Sequence, residues 1–202
     1  MIRNIVFDMG NVLLAFDPIQ PCLRHAGNPE EARLLAEAIF FLPQWGEKID
    51  GGECTDLEYI SFAQSRLHTS RLRDLAARVM ADWYLDGLYP VWGMAETVDR
   101  LLQRGYKLFL LSNAGYDFYD FAYKMPYLPR FCGVMISCEE KLRKPDPAIF
   151  LRLCEKYALK PEECLFVDDL APNVRGAEAA GLHAHCFAHG NIARMLAALE
   201  EF

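Results

Sequence analysis

No apolar run in this 202-residue chain approaches the roughly 18 residues that a membrane span needs, so no membrane partner is expected. Positive charge is in deficit, with 21 basic against 28 acidic residues and a net charge of -7. Proteins that grip a nucleic-acid backbone concentrate Lys and Arg, so nucleic acid is not an expected partner either. The seven cysteines (Cys22, Cys54, Cys132, Cys138, Cys154, Cys164 and Cys186) include no CxxC pair and are odd in number. That spacing indicates neither a disulfide framework nor a zinc knuckle. No signal-peptide-like segment precedes Ile5-Val6-Phe7, and the expectation is a reduced, cytoplasmic protein. Repeats, low-complexity tracts and charge runs are lacking as well.

What is present is a 52% hydrophobic composition, enough to bury the core of one ordinary domain or of one domain with a modest insertion. Five short runs are almost continuously apolar: Ile2 to Phe7, Lys107 to Leu111, Gly133 to Ser137, Cys164 to Val167 and His183 to Phe187. Runs of this kind are strands covered on both faces. Helix grammar lies between them. Asp146-Pro147 supplies an N-cap and a first-turn proline before Ile149, Phe150, Leu153, Cys154 and Tyr157. Pro172 opens a helix that stops at Gly181, and Thr97, Val98, Leu101 and Leu102 lead to Gly105 in the same way. Strand and helix in alternation predict an α/β fold, a Rossmann-like doubly wound parallel sheet.

One connection is too long for a βα loop. From Asp8 to about Ala95 no strand is expected, and the patterns are helical. Asn28-Pro29-Glu30-Glu31 and Thr55-Asp56-Leu57-Glu58 read as capping boxes, and Leu72, Leu75, Val79, Met80 and Trp83 form a third helical stripe. The expected organisation is an α/β core of residues 1–14 and 90–202, with an all-helical cap, residues 15–89, inserted after the first strand.

In an open parallel sheet, ligands bind beyond the carboxyl ends of the strands. The first strand is followed by Asp8-Met9-Gly10-Asn11 and the second by Ser112-Asn113-Ala114-Gly115. Lys144 follows the third, and Asp168-Asp169 with Asn173 follow the fourth. Crowded carboxylates repel one another and are costly to desolvate, a conflict that a divalent cation and the Lys144 ammonium resolve. Oxygen ligands with open positions suit Mg²⁺, and small-residue loops such as Gly10-Asn11 can present N–H groups to phosphate.

These four motifs together resemble the haloacid dehalogenase superfamily of hydrolases, in its subfamily with a C1 helical cap, and they are most similar to the sugar-phosphate phosphatases near α-D-glucose-1-phosphatase. The resemblance spans the whole chain. It implies a Mg²⁺-dependent phosphatase acting on a small phosphorylated metabolite, a sugar phosphate, through an aspartyl-phosphate on Asp8. It further implies metal ligation by Asp8, the Gly10 carbonyl, Asp169 and Asp168, phosphoryl contacts from Ser112 and Asn113, and charge neutralisation by Lys144. Gly10 and Asn11 belong to the phosphate-binding turn. In C1-capped relatives the segment holding Trp45, Glu47 and Lys48 faces the site, making these three candidates for substrate contact.

One departure matters. Most phosphatases of that family carry an acid/base aspartate two residues after the nucleophile, where this chain has Gly10. The acid must then come from a cap residue, a bound water or the substrate. Asp17 is one candidate, and an N-cap ahead of Pro18 is its other reading. Two rival readings remain open: a non-catalytic phosphometabolite-binding protein, and a metal-independent 2-haloacid dehalogenase, for which the Asp168-Asp169 pair has little purpose. The aromatic stretch Phe118, Tyr119, Phe121, Tyr123 and Tyr127 reads as packing, and His183, His185 and His189 read as structural.

Overall fold

The computed structural model describes residues 1–187 and 191–200; His189 lies outside them. Five strands, β1 (Asn4–Phe7), β4 (Lys107–Ser112), β5 (Gly133–Ile136), β6 (Cys164–Asp168) and β7 (His183–Cys186), form one parallel sheet in the order β5-β4-β1-β6-β7. All five are the expected ones. Their residues divide by parity: Ile5, Phe7, Leu108, Leu110, Leu165 and Val167 join one buried cluster, and Val6, Phe109, Leu111 and Phe166 join the other. Helices cover both faces, which is why β1, β4, β5 and β6 show no polar alternation, whereas the half-buried edge strand β7 alternates His183, Ala184, His185 and Cys186. On the first face lie α6 (Met94–Gln103), through Met94, Val98 and Leu101, and α11 (Ile192–Glu200), through Met195 and Leu199. On the other lie α9 (Pro147–Tyr157) and α10 (Ala171–Ala179).

Between β1 and β4 the chain is mostly helical: α1 (Ile19–His25), α2 (Pro29–Ile39), α3 (Asp56–Ser65), α4 (Ser70–Asp82) and the short α5 (Tyr84–Gly87). The predicted capping box at Thr55 forms, with Glu58 N–H donating to the threonine hydroxyl and Thr55 N–H donating to the Glu58 carboxylate. At α2 the Asn28 side chain caps as expected, but the Glu31 carboxylate reaches one residue further back, to Gly27 N–H.

Two features depart from the sequence reading. A two-stranded antiparallel ribbon joins β2 (Leu14–Phe16) to β3 (Leu88–Pro90) where no strand was expected. Three residues are too few to display a period of two, and Pro90 argues against a strand. The segment Trp45–Asp50, within the stretch expected to be helical, closes as a single π-helical turn rather than as α-helix. Two short helices, α7 (Phe118–Phe121) and α8 (Ser137–Glu140), and three 3₁₀ turns complete the described elements. No helix among the described residues is long and apolar enough to cross a membrane.

Candidate active site

Parallel register puts the ends of β1, β4 and β6 side by side, since Phe7 pairs with both Leu110 and Val167. The next residues therefore emerge at one rim. Asp8 N–H donates to the Val167 carbonyl at 2.9 Å, and one carboxylate oxygen from each of Asp8, Asp168 and Asp169 lies within 4.8 Å of the others. Lys144 joins them from the loop ahead of α9. Its Nζ is 2.7 Å from Asp8 Oδ1 and 2.8 Å from Asp168 Oδ2, in a place where the lysine is 4% exposed.

The remaining polar groups are arranged around this ion cluster. Asp168 is fully buried, and both of its oxygens are engaged: Asn173 Nδ2 donates to each, and Leu170 N–H and Lys144 Nζ complete them. It holds the lysine. Asn113 spends its side chain on the Lys144 backbone, donating to the carbonyl and accepting from the N–H, both at 2.9 Å. Asn11 adopts a left-handed φ of 54°, which asparagine tolerates, and donates to Asp169 Oδ2 while accepting from Phe16 N–H. Both asparagines thus position neighbours. Ser112 is buried beneath the cavity, its hydroxyl making only a 3.5 Å contact with the Asn113 carbonyl. Gly176 permits α10 to approach this loop, since a Cβ there would stand 2.1 Å from the Pro145 carbonyl oxygen.

Burial sets the electrostatics. It pushes the Asp8 carboxyl up to about 7, against the opposing attraction of Lys144, and Asp168 adds to the rise. Burial also works against the Lys144 ammonium, but Asp8 and Asp168 outweigh it and hold its proton above the ordinary lysine value. Asp169 is raised too, chiefly by burial. Three carboxylates around one ammonium leave a deficit of positive charge. The donor set of hard oxygens fits a small divalent cation.

The cavity above this cluster has a volume of about 310 Å³, at the small end for metabolite sites. Its base includes Asp8, Gly10, Asn11, Ser112, Asn113, Lys144 and Asp169, seven of the residues singled out in the sequence. Trp45 lines it as well, beside Phe16, Trp83 and Phe121, which pack edge-on or tilted against one another. Glu47 and Lys48 are not among its lining residues, and Glu47 is exposed. The reason is the π turn: its i→i+5 repeat brings Asp50 round beside Trp45, where α-helical spacing would have brought positions 48 and 49. Asp17 does not line the cavity. Its carboxylate accepts from the N–H of Ile19, the first residue of α1, and from Gln20 Nε2. Of the aromatic stretch, Phe118, Phe121 and Tyr127 are buried, whereas Tyr119 and Tyr123 are exposed. His183 and His185 lie half-buried in β7, at the sheet edge.

Two further acids line the cavity, Asp50 from the inserted segment and Asp117 from the loop between β4 and α7. Asp117 accepts from Trp83 Nε1 at 3.0 Å, and burial raises it to about 6. Asp50 is raised to about 8 by burial, with Asp117 and Asp8 adding and Arg143 and Lys144 opposing. Both native pKa values exceed the unfolded ones. The stability tied to these two groups is therefore complete below about pH 4 and is lost as pH climbs through 6 and then 8. The unfolding midpoint of Asp50→Asn is expected to fall less between pH 5 and pH 8 than that of the unmodified chain; thermal scans at both pH values giving parallel slopes would contradict this.

Residues 2–181 match the family of haloacid dehalogenase-like hydrolases. The chain is a haloacid dehalogenase-like hydrolase. Among curated relatives, the hydrolase is 28% identical over 197 residues to (S)-2-haloacid dehalogenase 4A of Burkholderia cepacia, covering 90% of this chain and 81% of that one. It is also 28% identical over 103 residues to phosphoglycolate phosphatase of Nitrosospira multiformis, covering 50% of this chain and 44% of that protein. Among solved structures, HAD family enzyme bt-2542 of Bacteroides thetaiotaomicron, in a variant complexed with magnesium and inorganic phosphate, superposes with a TM-score of 0.76 at 21% identity, covering 97% of this chain and 99% of that one.

Proposed function

We propose that this hydrolase is a magnesium-dependent phosphatase of small phosphorylated metabolites, with sugar phosphates as the substrate class. The observation that carries the reading is the charge deficit at the sheet rim. Asp8, Asp168 and Asp169 crowd together there, and among the described residues the one cation lining the cavity beside them is Lys144, which Asp8 and Asp168 already share. A 2-haloacid entering without a metal would bring its own carboxylate into this acidic chamber, where no described lining residue other than the shared Lys144 is a cation to receive it. A phosphate monoester arriving at a metal-loaded site meets compensated charge. That favours the phosphatase over the dehalogenase reading, although the Burkholderia relative is a dehalogenase. The Bacteroides enzyme, crystallised with magnesium and phosphate, is in keeping with the same choice.

Asp8, the Gly10 carbonyl and Asp169 would hold the ion, with Asp168 behind them on the lysine. Bound there, Mg²⁺ supplies positive charge to the transferring phosphoryl group. Asp8 attacks phosphorus, and its carboxylate oxygen becomes the bridge of an aspartyl-phosphate, splitting one displacement into two. Lys144 keeps Asp8 aimed and offsets the negative charge of nucleophile and substrate. The Ser112 hydroxyl turns from its long contact to donate to a phosphoryl oxygen. The aromatic wall of Phe16, Trp45, Trp83 and Phe121 offers flat apolar faces to a sugar ring. Seven free thiols suit a reducing compartment, and the reading includes action in the cytoplasm.

Assay of p-nitrophenyl phosphate and a panel of hexose, pentose and triose phosphates, with Mg²⁺ and with EDTA, tests this. Phosphate release in Mg²⁺ that chelation abolishes is the expected result. Turnover that survives EDTA, or a silent panel with chloride release from 2-chloropropionate, would overturn it.

A further inference from the structure

Gly10 leaves the nucleophile's neighbour without a side chain, so a phosphatase built on Asp8 needs another group to protonate its leaving oxygen. We propose that Asp50, delivered from the cap by the π-helical turn, is the catalytic acid and base of this site, an assignment that rests on the phosphatase reading.

Three observations carry it. Asp50 lines the same cavity as Asp8, Ser112, Asn113 and Asp169, and comes from the chain inserted between β1 and β4 rather than from the sheet. Its place is fixed from the core: the Ser137 hydroxyl donates to the Asp50 carbonyl and accepts from Ala114 N–H at 3.0 Å, so residue 50 is fastened to the loop that follows Ser112 at the end of β4. That loop also meets the turn closely, since a Cβ at Gly115 would lie 2.6 Å from Ile49 Cγ2, and only glycine allows the approach. Finally, among the described residues no hydrogen bond or ion pair engages the Asp50 carboxylate, whereas Asp8, Asp117, Asp168 and Asp169 each have a donor. It is the acid in this chamber with no other employment.

The charged groups around it are Asp117 from the loop before α7, Asp8 from the end of β1, and Arg143 and Lys144 from the loop before α9. Burial and the two neighbouring acids prevail over the cations, so the carboxyl keeps its proton to about pH 8. A carboxylic acid protonated at neutral pH is the form a general acid needs. In the first step Asp8 bonds to phosphorus, the bond from phosphorus to the ester oxygen breaks, and the Asp50 proton passes to that oxygen, releasing the alcohol. In the second, a water oxygen bonds to phosphorus, the Asp8–phosphorus link breaks, and the water's proton returns to Asp50, releasing phosphate.

The test compares p-nitrophenyl phosphate, whose leaving group departs without a proton, with glucose 6-phosphate, ribose 5-phosphate and glycerol 3-phosphate, whose alkoxides require one. Asp50→Asn is expected to lose about 10²-fold or more on the alkyl phosphates. On p-nitrophenyl phosphate it should show a burst of nitrophenolate equal to the enzyme present, then slow turnover, because only the water step still needs the base. In the unmodified enzyme, alkyl-phosphate kcat/KM should fall above about pH 8 while the p-nitrophenyl phosphate burst rate does not, a comparison that requires no variant. Retention of alkyl-phosphate turnover within about threefold, equal losses on both substrate types without a burst, or parallel pH profiles would overturn the assignment. An unmodified enzyme inert toward every phosphate would overturn the phosphatase reading and this assignment with it.

Discussion

Asp8→Asn is expected to abolish phosphate release, by at least about 10³-fold, while the chain folds normally. The amide has nearly the shape of the carboxylate it replaces and can still accept from Lys144, but it cannot form an acyl-phosphate that water reopens. Burial already pushes the native carboxyl up to about 7, so its negative charge contributes little to holding the fold together at neutral pH. Circular dichroism and thermal scans should therefore match the unmodified chain, and single-turnover mixing with p-nitrophenyl phosphate should give no burst. A variant that retains a tenth of the activity would show that another residue attacks phosphorus, and the mechanism proposed above would have to be abandoned.

The opposite balance is expected at Lys144, where function and stability fall together. In Lys144→Met, Asp8 and Asp168 remain at the rim, 7% and 0% exposed, with their shared counter-ion gone. Removing one partner of a buried ion pair costs about 3–5 kcal/mol, because the charge left behind is uncompensated. Asn173 and Leu170 still donate to Asp168 and soften the loss. The deficit should shrink as pH falls and the Asp8 carboxyl, already pushed up to about 7 by burial, takes up its proton, whereas an effect due to packing alone would not change with pH. Urea unfolding at pH 7 and pH 5 measures both. Equal losses at the two pH values would mean that the lysine contributes mainly through its aliphatic stem. Lys144→Arg is expected to rescue neither property, since a planar guanidinium does not fit where a compact ammonium bridges two oxygens.

The sheet could be read from the chain because its strands are apolar on both sides, so each run stands out against amphipathic helices. The rim could be read because parallel topology forces the residues after β1, β4 and β6 to one edge. The finer roles could not. Asn11 and Asn113 follow strands and suggest phosphate contacts, yet their amides are committed to Asp169 and to the Lys144 backbone, partners more than 30 residues away in sequence. In the cap, the helix starts at Asn28 and Thr55 were visible because capping is local. Asp50 was not, because a π turn leaves no distinctive spacing and gives to residue 50 the place beside Trp45 that α-helical spacing gives to residues 48 and 49. Trp83 and Asp117 come together across 34 positions and reach the cavity only through tertiary packing.

The amide of Asn11 links two parts of the molecule that have separate duties. Its nitrogen donates to Asp169 on the sheet, and its oxygen accepts from Phe16, on the ribbon from which the helical roof is hung. Phe16 in turn leans against Trp83 and borders the chamber. A guest bulky enough to press on Phe16 would tug this one planar group and turn the Asp169 carboxylate with it. Fit at the ceiling and grip at the floor are thereby joined by a single side chain.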